Sequence, residues 1–336
     1  MRNFVIPLSF MASMCVVTPT IADSVSDFYK GKTITMLVGS APGGGYDSVA
    51  RTVARHLGRM IPGAPNVMVQ SMPGARGLIT ANYLYNIAKR DGTFMSILER
   101  VHLVNAYLMP EGVRYDERNF NWIGSTGTEN GVALAWHTSS HKNVEDLRHN
   151  ELVVGGDSSS STMPRIYNVT MGTKFKIITG YPGSSTVILA MEKGEVQGMG
   201  EYGLSNLLTK YPDWLKDRKV TVLFQNGKTR DPALPNVPLA SEFALDQEKQ
   251  QILDLWLAPN DVARPFAMPP EVPREIVSAV REGFMALFLD GLFLEDAKKS
   301  GMVIDPRDGV SIEKTIARLR AIPENVVAAA RAATEE

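Results

Sequence analysis

Two short stretches of the sequence gather residue types that can hold an anion. The first, Ala41-Pro42-Gly43-Gly44-Gly45-Tyr46-Asp47, follows the apolar and β-branched run Ile34–Val38 and precedes a stretch in which Val49, Val53 and Leu57 recur every four residues. A strand that hands over to a helix through three glycines brings unhindered backbone N–H groups to a helix start, where the peptide dipoles add about half a unit of positive charge. The same glycines also make a tight connection with Asp47 as a helix cap, and both readings can hold together. Neither G-x-G-x-x-G nor the lysine-containing P-loop spacing occurs in this turn, which argues against a nucleotide.

The second stretch, Gly155-Gly156-Asp157-Ser158-Ser159-Ser160-Ser161-Thr162, again follows an apolar run, Leu152–Val154. Its hydroxyls and N–H groups suit an oxygen-rich ligand, or equally a solvated loop capping a helix. It contains no G-x-S-x-G elbow and no neighbouring histidine, which argues against a serine nucleophile. Arg100 follows the run Phe94–Leu98 and is expected to emerge at the same sheet edge as the glycine turn, where a bidentate contact to a carboxylate is available. Arg165, early in the helix expected to follow the serine-rich stretch, is a similar candidate. Tyr181 and Trp136 offer rings either to a ligand or to the core. The five histidines, His56, His102, His137, His141 and His149, form no H-E-x-x-H pattern, and no metal or cofactor is expected.

The elements that would position these residues alternate in the manner of an open α/β sheet, with short apolar runs separated by amphipathic stretches. At 336 residues the chain exceeds the usual size of one core, so two lobes are expected. A second series of strands and helices begins near Val132, and the proline-rich stretch Thr229–Pro238 reads as a return linker. The expected organisation is 1–22 as an export signal, 23–128 with 239–336 as one lobe, and 129–238 as the other. The signal is read from Arg2, the apolar run Phe4–Val17 and the small residue ending Thr20-Ile21-Ala22. The single cysteine, Cys15, would leave with it, so packing alone must stabilise the fold. A formal net charge of −1 makes nucleic acid an unexpected partner.

Taken in order, Pro42-Gly43-Gly44-Gly45-Tyr46-Asp47 with Arg51, Pro73-Gly74-Ala75-Arg76-Gly77, Asp91-Gly92-Thr93, Gly180-Tyr181-Pro182-Gly183, Gly194-Glu195-Val196 and Leu234-Pro235-Asn236-Val237-Pro238 resemble the periplasmic substrate-binding components of tripartite tricarboxylate transporters, the Bug family. The resemblance covers nearly the whole chain after the signal. It implies an α/β type II periplasmic-binding-protein fold, with two lobes around a cleft joined by a two-segment hinge near Gly127–Gly131 and Arg230–Pro238. It further implies that Ala41–Asp47 receive a small organic carboxylate, that Ser158–Ser161 and the turn of Tyr181, Gly183 and Ser184 face it from the other lobe, and that a monomer in the periplasm passes the ligand to membrane permease subunits. No enzyme activity is implied. Ser158–Ser161, Gly180, Pro182 and Gln197 depart from the family's usual residues, so the second-lobe pocket is altered while the first-lobe grip is kept. Two other roles fit the same cleft: a sensory partner of a membrane kinase, and a periplasmic hydrolase using the serines.

Overall fold

A computed structural model describes residues 21–40, 42–157 and 160–334. The export signal expected at 1–22 falls almost wholly outside them, as do Ala41, Ser158 and Ser159. Among the described residues, eleven strands form two sheets: β1 (Thr33–Val38), β2 (Asn66–Ser71), β3 (Phe94–Ile97), β4 (Asn121–Ser125), β5 (Gly131–Trp136), β6 (Leu152–Asp157), β7 (Phe175–Tyr181), β8 (Gly198–Gly203), β9 (Val220–Gln225), β10 (Pro265–Met268) and β11 (Arg307–Asp308). The first sheet has the order β2-β1-β3-β10-β4-β11 and the second β7-β6-β8-β5-β9. In the first, β1 runs parallel to β2 and β3, and β10 runs antiparallel to both β3 and β4. In the second, β6 runs parallel to β7 and β8 while β5 opposes β8 and β9. In each sheet the strand that enters from the other lobe, β10 in the first and β5 in the second, runs antiparallel to both of its neighbours, and β11 adds a second opposed strand at the edge of the first sheet beside β4.

The alternation along β1 explains the layers. Ile34, Met36 and Val38 enter one core with Val53 and Leu57 of the helix Gly45–Leu57 and with Val280 and Phe284 of the helix Arg274–Leu287. Leu37 points to the other face, where Leu84 and Ile316 cover it. Sheet faces covered by helices on both sides are what buried parallel strands require.

Two expectations about the connections change. The stretch 229–238 does not cross between lobes. The Gln225 side chain ties it to the end of β9, accepting from Asp231 N at 2.9 Å and donating to the carbonyls of Leu234 and Val237 at 2.9 Å each. The chain stays with the second sheet until the helix Gln247–Leu257, whose Ile252, Leu253 and Trp256 share a core with Val154, Ile166 and Phe224. It returns only along 258–264, which lies beside the first crossing through Glu129 N to Asn260 O (3.0 Å) and Ala263 N to Gly127 O (2.9 Å). The end of the chain forms two helices, Gly309–Arg320 and Glu324–Ala332, because Pro323 cannot continue the first. Val326, Val327 and Ala330 of the second pack beneath the second sheet, so 239–336 does not belong wholly to the first lobe. The apolar spacing of these helices says that they are buried, and is silent on which sheet buries them.

Strand β8 is hidden in the sequence Gly-Met-Gly-Glu-Tyr-Gly. It lies between β6 and β5, where a Cβ on Gly198 would sit 2.1 Å from Leu134 O, so the close approach of backbones excludes the β-branched residues that advertise a strand.

Candidate functional site

The carboxyl ends of the parallel strands in both sheets meet at one cleft, where open α/β sheets place ligands. From the first sheet come Gly45 and Tyr46 after β1, Arg76 after β2 and Arg100 after β3; from the second come Ser160 after β6, Ser184 after β7, and Glu201 to Gly203 of β8. The space between them measures about 200 Å³. An adjoining chamber of about 140 Å³ lies on the other side of Arg264, lined by Gly43, Gly44 and Gly45 and by Lys210 of the second lobe.

The glycine turn is locked from below. Gly43 has φ +81°, a left-handed conformation that favours glycine, and its N–H donates to Asp47 Oδ2 at 2.8 Å. The same oxygen accepts from Arg51 Nε at 2.9 Å, and this pairing holds the Asp47 carboxyl below its ordinary range. Asp47 is 2% exposed, so it shapes the turn and does not reach into the cleft. Gly44 caps the helix with extended backbone and no side chain, and the helix N-terminus behind it stays accessible to an anion. Tyr46 fixes the upper rim: its hydroxyl donates to Ala263 O (3.3 Å) and accepts from Arg100 N (3.1 Å), while the Arg264 guanidinium lies 4.4 Å above its ring.

Arginines and glutamates alternate around this rim. Arg100 Nη2 meets Glu201 Oε1 at 3.0 Å, first lobe to second. Arg264 Nη2 lies 3.5 Å from Glu129 Oε2, and Glu129 also accepts from Ser205 N (3.1 Å) and Ser205 Oγ (2.7 Å). Arg76 reaches Thr162 Oγ1 at 3.5 Å from a turn in which Ala75 and Arg76 both have positive φ, 45° and 55°. Left-handed backbone at two residues bearing side chains costs about 1–2 kcal/mol each, and it aims the guanidinium at the second lobe. Burial pushes the Glu201 carboxyl above its usual range, with Arg100 opposing.

Of the residues expected at the site, Gly45, Tyr46, Arg100, Ser160 and Ser184 line the cleft, and Gly43 and Gly44 line the chamber beside it. Pro42 is exposed on the turn. Ser161 caps the helix Thr162–Met171 without a side-chain bond. Tyr181 packs on the core of the second sheet with Val187, and open space surrounds Gly183. Trp136 is buried against Trp214, ring centroids 5.1 Å apart, and Arg165 is turned away to the Thr334 carbonyl at 3.1 Å. Arg76, Arg264, Glu129 and Glu201 were not foreseen. Arg76 carried a faint signal, a cation between two glycines just after a strand; the other three enter the cleft only because the two sheets face each other. Among the described residues no group of three or more His, Cys, Asp or Glu is placed to hold a metal, and no helix is long and apolar enough to cross a membrane.

No protein-family model matches the sequence. Similar structures include the periplasmic binding protein BugD (TM-score 0.67, 17% identity, covering 91% of this chain and 98% of that one) and a TctC solute-binding protein from Polaromonas (0.66, 18%, 91% and 99%). The fold is that of the periplasmic binding proteins of tripartite tricarboxylate transporters. MatC of Rhodopseudomonas palustris, solved with bound malate, shares this binding-protein fold at a TM-score of 0.65 and 20% identity over 88% of this chain and 99% of its own. A curated relative from Agrobacterium vitis, described as a UPF0065 protein in the TAR-I ttuE-ttuC' intergenic region, is 26% identical over 271 residues, 76% of this chain and 75% of that protein.

Proposed function

We propose that this chain is a periplasmic solute-binding protein that captures a small organic carboxylate between its lobes and delivers it to a membrane permease, without breaking a bond. The observation that carries the reading is convergence: an accessible helix start beyond Gly44 and the guanidiniums of Arg76, Arg100 and Arg264 all meet in one cleft between two sheets. Backbone N–H groups and guanidiniums are the donors that a carboxylate accepts best. Malate bound to MatC, a protein with the same fold, supports that ligand class.

Capture works by population shift. A ligand that touches both lobes binds the closed arrangement better and stabilises it, the crossings at 126–130 and 258–264 acting as the hinge. A thermal-shift screen against mono-, di- and tricarboxylates and aromatic acids tests the reading, because a ligand specific to the folded state raises the melting temperature with concentration. At least one acid should do so; a flat response to every acid would overturn it.

A further inference from the structure

Arg100 and Glu201 both line this cleft and are paired to each other within it. Arg100 belongs to the turn after β3 and Glu201 to β8, so the contact joins the lobes across the space that a ligand would enter. The side chains are 23% and 10% exposed. Glu201 therefore presents to Arg100 the functional group that the ligand itself would bring.

We propose that Glu201 acts as a built-in competitor for the ligand carboxylate, occupying Arg100 until an incoming acid takes its place. This rests on the carboxylate-binding reading above. Two consequences follow from elementary charge balance. The apparent affinity is lowered by the fraction of molecules in which Arg100 is engaged with Glu201, so Glu201 tunes the threshold at which the protein loads. A displaced Glu201 is also left buried with its counter-ion given to another anion. The other charges that face it are Arg76, from the turn after β2, and Glu129, from the first crossing, while the Asn226 amide and the Tyr167 hydroxyl of the helix Thr162–Met171 are its uncharged neighbours. Arg76 offsets Glu129 but does not replace Arg100, and a carboxylate so placed takes up a proton. Its own burial already raises its pKa, which works in the same direction. Binding of an acid is then linked to uptake of a proton at Glu201, and affinity rises as pH falls.

The test is isothermal titration of the full chain and of Glu201→Gln with malate, adipate and benzoate, at several pH values and in two buffers of different ionisation enthalpy. The wild-type protein should show buffer-dependent heat corresponding to proton uptake and an affinity that weakens as pH rises. Glu201→Gln should bind the same acid about tenfold tighter, with neither the buffer dependence nor the pH slope. The proton-uptake measurement needs no variant, so poor folding of Glu201→Gln leaves the proposal testable: absence of buffer-dependent heat in the wild type overturns it. If acids bind the wild type but the folded variant binds no tighter, the competitor role falls and the carboxylate reading stands. If none of the acids binds either protein, both fall.

Discussion

The strand-to-helix junctions that face each other across the cleft are built to different standards. In the first sheet, at the passage from β1 to the helix Gly45–Leu57, Asp47 clamps the Gly43 N–H and the Arg51 side chain, and Tyr46 is bonded to both Ala263 and Arg100. In the second sheet, among the described residues, Ser161 and Gly183 cap their helices without a side-chain bond. A rigid junction suits the one group that every carboxylate ligand shares. Helix caps that carry no side-chain bond suit the part that differs between ligands, because their side chains can change without disturbing a network. On the proposed function, the contrast assigns the role of anchor to the first lobe and that of selector to the second.

The sharpest way to break this contrast is Arg100→Met, which removes the cation at the centre of the anchor. Acid binding should weaken by about 100-fold or more, the equivalent of one or two charge-assisted bonds. Stability should fall as well, since Glu201 is left buried without its partner. Titration calorimetry and a melting curve on the same sample read both effects; an unchanged affinity would remove Arg100 from the anchor.

Asp47→Ala tests the clamp beneath the turn. It frees the Gly43 N–H and releases Arg51, with a stability loss of about 1–2 kcal/mol and an affinity loss of roughly tenfold as the turn loosens. Denaturant unfolding and a ligand titration report the two losses separately. A rigid-anchor account requires both; loss of stability with full affinity would mean that the turn's shape is set elsewhere.

Behind the anchor, acid should undo the first lobe before ordinary carboxylate titration does. His102 is buried beneath the turn 74–77, where a Cβ on Gly77 would lie 3.1 Å from its Nε2, and burial holds its pKa down to about 3. Unfolded, the imidazole titrates near 6.5, so the unfolded chain binds the proton more readily. The contribution to stability is complete above about pH 6.5 and is lost progressively as pH falls toward 3. His102→Gln should flatten that part of the stability profile, measured by denaturant titration between pH 7.5 and 4.5. An equally steep profile in the variant would clear His102.

Much of the first junction could be read from the chain, and much of the cleft could not, for physical reasons. Ile34–Val38, the glycines and the four-residue spacing of Val49, Val53 and Leu57 are local patterns, and local patterns determine where a strand turns into a helix. Arg100 was accessible because it directly follows a strand whose direction was already known. Glu201 lies in a strand in which every other signal is diluted by Gly198, Gly200 and Gly203, and Arg264 at the end of a crossing whose course depends on which sheet buries the helix Gln247–Leu257. Both positions are consequences of how two sheets face each other, and nothing within several residues of either one encodes that.

The smallest effect expected is also the one that separates anchor from selector. Ser184 lines the cleft at the first turn of the helix Ser184–Glu192, opposite the anchor, in a region with open space on its N-terminal side. Removing its hydroxyl with Ser184→Ala forfeits at most one neutral hydrogen bond to a ligand, so affinity for any single acid should change by less than about fivefold. The order of preference among acids should nevertheless shift, because a side chain on the selector touches the part of the ligand that varies. Titrating malate, adipate and benzoate against both proteins gives the ratios directly. If every acid weakens by one common factor, Ser184 contributes to the shared carboxylate grip, and the division of labour between the two lobes is wrong.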